Sequence, residues 1–99
     1  MSVFALRLKE ARMHLGLSQE KLGVLAGIDE ATSSARMNQY ERGKHSPDTN
    51  MVERLARVLN VPEAYFYARD DDLAWLIVHV HRANKERRKA IIDYIQANF

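Results

Sequence analysis

Apolar side chains recur at intervals of three and four residues along most of this 99-residue chain, and no stretch alternates apolar with polar positions. A three-to-four interval gathers side chains on one face of a helix, whereas a half-buried strand needs a period of two. The chain is therefore expected to be all-α. It shows no internal repeat and no low-complexity segment. At 46% hydrophobic residues its length suits one domain over residues 1–99, and a core this small gains from an oligomeric partner.

Local punctuation divides the pattern. Phe4, Leu8, Ala11 and Leu15 form a first helical stripe, after which Gly16 can take the left-handed cap conformation. Ser18 can accept from the free amides of a second helix over about Gln19 to Ala26, with Leu17 and Leu22 as a hydrophobic staple. A third helix ends at Gly43, but Asp29, Thr32 and Ser33 are rival caps for its start. Pro47 and Asp48 open a fourth, with Met51, Val52, Leu55, Val58 and Leu59 inward and Asn60 as its stop, and Pro62 starts a short turn holding Tyr65 and Phe66. Asp70, Asp71 and Asp72 stand where carboxylates favour the positive end of a helix carrying Leu73, Leu76, Ile77 and Val80. Asn84 can cap a last helix with Ile91, Ile92, Ile95 and Phe99 on one stripe.

Composition excludes several classes. With no cysteine the chain has no disulfide, thiol nucleophile or cysteine-ligated zinc. The N-terminus has no signal-peptide apolar core and the longest apolar stretch, near Ala74 to Val80, is too short to span a bilayer, so a cytoplasmic protein without membrane attachment is expected. The net charge of +2 argues only weakly for a polyanionic partner. The excess lies in residues 1–60, with nine Lys/Arg against seven Asp/Glu, while residues 61–99 balance.

The segments Arg7 to Arg12, Gly16 to Gly23, Ala26-Gly27, and Tyr40-Glu41-Arg42-Gly43-Lys44 with Pro47 together resemble the Cro/repressor-type (XRE-like) helix-turn-helix family. The resemblance covers roughly residues 4–67 and leaves a C-terminal helical extension over about 68–99. It implies a lambda-repressor-like DNA-binding domain, acting as a transcriptional regulator of bacterial or phage type, with the third helix in the major groove. Counting back from Tyr40 in the family's frame makes Ser33 the cap, Ser34 and Ala35 the first groove-facing pair, and Met37 a core residue. Arg36 and Gln39 become the best base readers, since a guanidinium matches guanine's two acceptors and a carboxamide matches adenine. Ser18, Gln19 and Asn38 complete the implied DNA-binding set, with Arg42, Lys44 and His45 beside the phosphates. The resemblance assigns Arg12 and Glu41 to an internal ion pair instead. Gly23 and Gly27 suit the close approach of two helices.

The sequence departs from the family pattern by about four extra residues between Gly27 and Tyr40. Either the turn loops outward with Asp29 and Glu30 or the third helix gains a turn at its start. The first is favoured, because the second would carry Glu30 towards phosphate.

No metal or other cofactor is expected. His79 and His81 lie on different helix faces, His14 and His45 lack ligand spacing, and the aspartate run lacks a calcium loop's glycine and terminal glutamate. With no phosphate loop or catalytic constellation, no enzyme activity is expected. Trp75, Ile91, Tyr94, Ile95 and Phe99 are candidates for a homodimer interface, which would match a palindromic operator. An interaction adaptor or antitoxin using the same fold is the alternative.

Overall fold

The computed structural model describes residues 2–99 and contains six α-helices and one 3-10 turn, with no strand among the described residues. Helix α1 (Val3–His14) starts where Ser2 Oγ accepts from the Ala5 amide at 3.1 Å, and stops before Gly16, whose φ is +70°. Ala5, Leu8 and Ala11 point into the core, while Leu15, at the helix end, is left exposed. Helix α2 (Gln19–Leu25) is capped by Ser18, whose hydroxyl accepts from Lys21 N at 3.0 Å. Gly27 turns the chain at φ +96° and buries Ile28.

Helix α3 (Glu30–Glu41) begins earlier than expected. Asp29, the first acceptor after the turn, caps it by accepting from Ala31 N at 3.2 Å. The extra residues therefore lengthen the helix and not the turn. Ser33 consequently lies one turn inside the helix, fully buried, with its hydroxyl donating to Glu20 O at 2.8 Å. Expected as a cap and DNA contact, Ser33 is neither, since it is shut in between α2 and α3.

Helix α4 (Thr49–Leu59) follows the sequence reading closely. Asp48 accepts from Met51 N at 2.8 Å, Met51, Val52, Leu55 and Leu59 are buried, and Asn60 closes the helix in the left-handed region at φ 54°. The 3-10 turn (Glu63–Tyr67) sends Tyr65 and Phe66 under α1, where Phe4 meets Phe66 at 4.8 Å between ring centres.

Helix α5 (Asp71–Arg82) buries a different face from the one its apolar residues suggest. Ala74 and Val78 are inside, whereas Leu73 and Leu76 are about half exposed. The cause is Arg7, fully buried, which donates to Ala68 O at 2.8 Å, Arg69 O at 3.1 Å and Asp71 Oδ1 at 3.0 Å. Asp71, Ala74 and Val78 share a helix face, so the bond from Arg7 to the exposed Asp71 carboxylate fixes that face towards α1. Burial, which alone would lower the Arg7 pKa, is outweighed by the hydrogen bonds and charges of Asp71 and Glu10, and the net shift is upward.

Asn84 caps helix α6 (Lys85–Asn98) by accepting from Arg87 N at 2.8 Å. No α6 side chain is buried. The molecule measures 51 × 26 × 24 Å with a radius of gyration of 15.0 Å, against about 13 Å for a compact chain of this length. No helix is long and apolar enough to cross a membrane among the described residues.

Candidate nucleic-acid interface

The α2–α3 pair is locked at one close approach. A Cβ on Gly23 would overlap the Ser33 hydroxyl and come within 3.0 Å of Met37 Cγ, so only glycine lets the two backbones approach this closely. Arg54 from α4 supports the turn by donating to Ala26 O at 2.8 Å.

A polar network then fixes the open end of the pair. Arg12 of α1 grips Glu41 with two hydrogen bonds, Nε to Oε2 at 2.6 Å and Nη2 to Oε1 at 2.9 Å, and donates to Leu17 O at 2.9 Å. Its pKa is raised by the Glu41 hydrogen bond, which overcomes the opposing effect of burial. Glu41 is itself buried, so the internal ion pair implied by the resemblance is present. Gln19 joins it, its Nε2 donating to Glu41 Oε1 at 3.2 Å and more loosely to Asn38 Oδ1 at 3.4 Å. One chain of contacts thus runs from α1 through α3 to the first residue of α2.

This network sorts the site residues. Asn38 lies on the flank of α3 nearest Gln19, and Ser34, Asn38 and Gln39 are exposed. Arg36, two positions from Asn38, is about 160° round the helix from it. Its Nη2 donates to the Tyr40 hydroxyl at 2.8 Å and its guanidinium sits 5.9 Å from that ring's centre. Arg42, Lys44 and His45 are exposed just past α3, and none of the three is in an ion pair among the described residues. Glu20, Asp29 and Glu30 are exposed on the same helix pair. Asn38, three residues before Glu41, shares a helix face with it, so the one Gln19 side chain reaches both. The five proposed dimer residues lie elsewhere, on α5 and α6: Trp75, Tyr94, Ile95 and Phe99 are exposed and Ile91 is half-buried.

A helix-turn-helix domain family matches residues 3–65. An HTH-type transcriptional regulator of Sinorhizobium medicae is 33% identical over 61 residues, 62% of this chain and 41% of that protein. One from Rhizobium meliloti matches to the same extent. The match thus spans less than half the length of these curated relatives. Among solved structures, transcriptional regulator BswR is 47% identical with a TM-score of 0.89, over 98% of this chain and 94% of that one. Together with the locked α2–α3 pair, these matches show that the chain belongs to the XRE-like helix-turn-helix family of transcriptional regulators.

Proposed function

We propose that this chain is a sequence-specific regulator of transcription that binds double-stranded DNA as a homodimer on a palindromic operator, α3 lying in the major groove. The observation that carries the reading is the Arg12–Glu41–Gln19–Asn38 network. It pre-sets the angle between α2 and α3 while leaving the outer face of α3 exposed beside the unpaired cations Arg42 and Lys44. Ser34, Asn38 and Gln39 read base edges, with Gln19 steadying Asn38. Arg36, across the helix from Asn38 and tied to the Tyr40 hydroxyl, joins Arg42, Lys44 and His45 as a phosphate contact. Ser18 supports the site as a cap. One continuous cluster of buried residues from Leu8 to Val78 favours a single domain, and repression by occupying the operator is the simplest mode of action for a domain of this kind.

Selection from random duplexes tests the reading. A single enriched motif with two inverted half-sites about 34 Å or a multiple of it apart is expected, bound with an affinity that falls steeply with salt. Absent or salt-insensitive duplex binding overturns it.

A further inference from the structure

The packing of this chain does not account for α6. Its 14 residues bury no side chain, and an isolated helix of that length is marginal in water. Ile91, Ile92, Ile95 and Phe99 fall within one stripe, with Ile95 50% and Phe99 94% exposed. The Lys89–Asp93 pair, at 2.8 Å, stands on the other side of the helix, and Arg88, in line with the stripe, lies at its N-terminal end with its guanidinium turned to the α5 backbone. At the opposite end of α6, its elbow with α5 forms an apolar groove of about 420 Å³ lined by Pro62, Leu76, Ile77, Val80, His81 and Arg88. Arg88 fixes the elbow by donating to Val80 O and His81 O, both at 3.1 Å from Nη2.

We propose that this groove receives Phe99 of a second copy, the two α6 helices pairing antiparallel about a two-fold axis. The inference rests on the homodimer reading and specifies its surface. A two-fold interface requires each copy to carry both halves of the contact, and here a projecting aromatic ring and an apolar groove stand at opposite ends of one helix. The register closes on itself: placing Phe99 opposite the partner's Arg88 puts Ile95 opposite the partner's Ile92, and the reverse. The exposed area is also sufficient. Leu73, Leu76, Ile92, Tyr94, Ile95 and Phe99, at roughly 100 Å² each over two copies, offer about 1,200 Å², the lower bound of a stable interface. Pairing through α5 and α6 leaves α2 and α3 of both copies free for DNA.

This chain has no cysteine, which makes cross-linking unambiguous. Mixing Leu76→Cys protein with Phe99→Cys protein under mild oxidation is expected to give a disulfide-linked dimer that neither variant gives alone. In sedimentation equilibrium the unaltered chain is expected to be a dimer. Phe99→Ala, which removes no core contact, and Ile95→Asp should each weaken association by about thirtyfold or more. A dimer that is insensitive to both substitutions and gives no mixed disulfide overturns this inference while sparing the homodimer reading. A monomer at micromolar concentration overturns both.

Discussion

The Ser33 hydroxyl sits in the space that a side chain on Gly23 would need, and donates to the Glu20 carbonyl oxygen at 2.8 Å. A polar side chain on α3 thus completes the joint between two helices. It sets their separation.

Gly23→Ala should destabilise the fold by about 1–3 kcal/mol through overpacking, even though alanine is the better helix former by about 1 kcal/mol. Ser33→Ala alone should cost about 1 kcal/mol for the lost hydrogen bond. With the hydroxyl gone, alanine at Gly23 meets less obstruction, so the double variant should lose less than the two singles combined. Urea unfolding of all four proteins measures this. Strict additivity would show that the two positions do not compete for space.

Arg12 and Glu41 tie α1 to the end of α3, and Glu41 is 3% exposed. Arg12→Ala strands a buried carboxylate and should cost about 3–5 kcal/mol. Replacing both residues by apolar ones of similar volume should cost far less, because the desolvation penalty disappears with the pair. Equal losses in the single and double variants, read from unfolding midpoints, would contradict this account.

Helix ends that depend on local chemistry were legible from the sequence. Ser18, Asp48 and Asn84 all cap as their spacing suggests, and Gly16 and Asn60 take the left-handed conformation. The start of α3 was not legible, because three rival caps lie within five residues and tertiary contacts choose between them. Burial of Ile28 and the bond from Ser33 to Glu20 fix the helix start at Glu30. The inner face of α5 was hidden for a similar reason: Leu73, Leu76, Ile77 and Val80 make the more apolar stripe, but Arg7 holds Asp71 and so turns Ala74 and Val78 inward. The ion pair of Arg12 with Glu41 was accessible only through the resemblance, since 29 residues separate its members.

The flanks of α3 should behave differently in DNA binding. Asn38→Ala and Gln39→Ala should each cost about 1–3 kcal/mol on the selected operator and relax preference at one base position. Arg42→Ala and Lys44→Ala should weaken all duplexes alike and reduce the salt slope by about 1 each. Arg36→Ala should follow the second pattern, its guanidinium being held at the Tyr40 hydroxyl. A change of preferred base on Arg36→Ala would instead return that residue to the reading face.

Tyr65 should make stability pH-dependent at the alkaline end. Its hydroxyl donates to Glu10 Oε1 at 3.0 Å, with Arg7 O as a second acceptor within reach at 3.3 Å. Burial pushes the phenol above its ordinary pKa of 10.0, and the bond to Glu10 pushes it further. Below about pH 10 the hydroxyl is protonated in both folded and unfolded chains, so its contribution is fully present. Above that, the unfolded chain releases the proton while the fold retains it, and stability falls by up to about 1.4 kcal/mol per pH unit from this group. Tyr65→Phe should cost about 1 kcal/mol at neutral pH, a deficit that shrinks as pH rises past 10. Unfolding the two proteins in urea from pH 7 upward and subtracting their stabilities isolates this phenol from the lysines and other tyrosines. A difference that stays constant across the alkaline range would mean that the Tyr65 proton is held no more tightly in the fold than in the open chain.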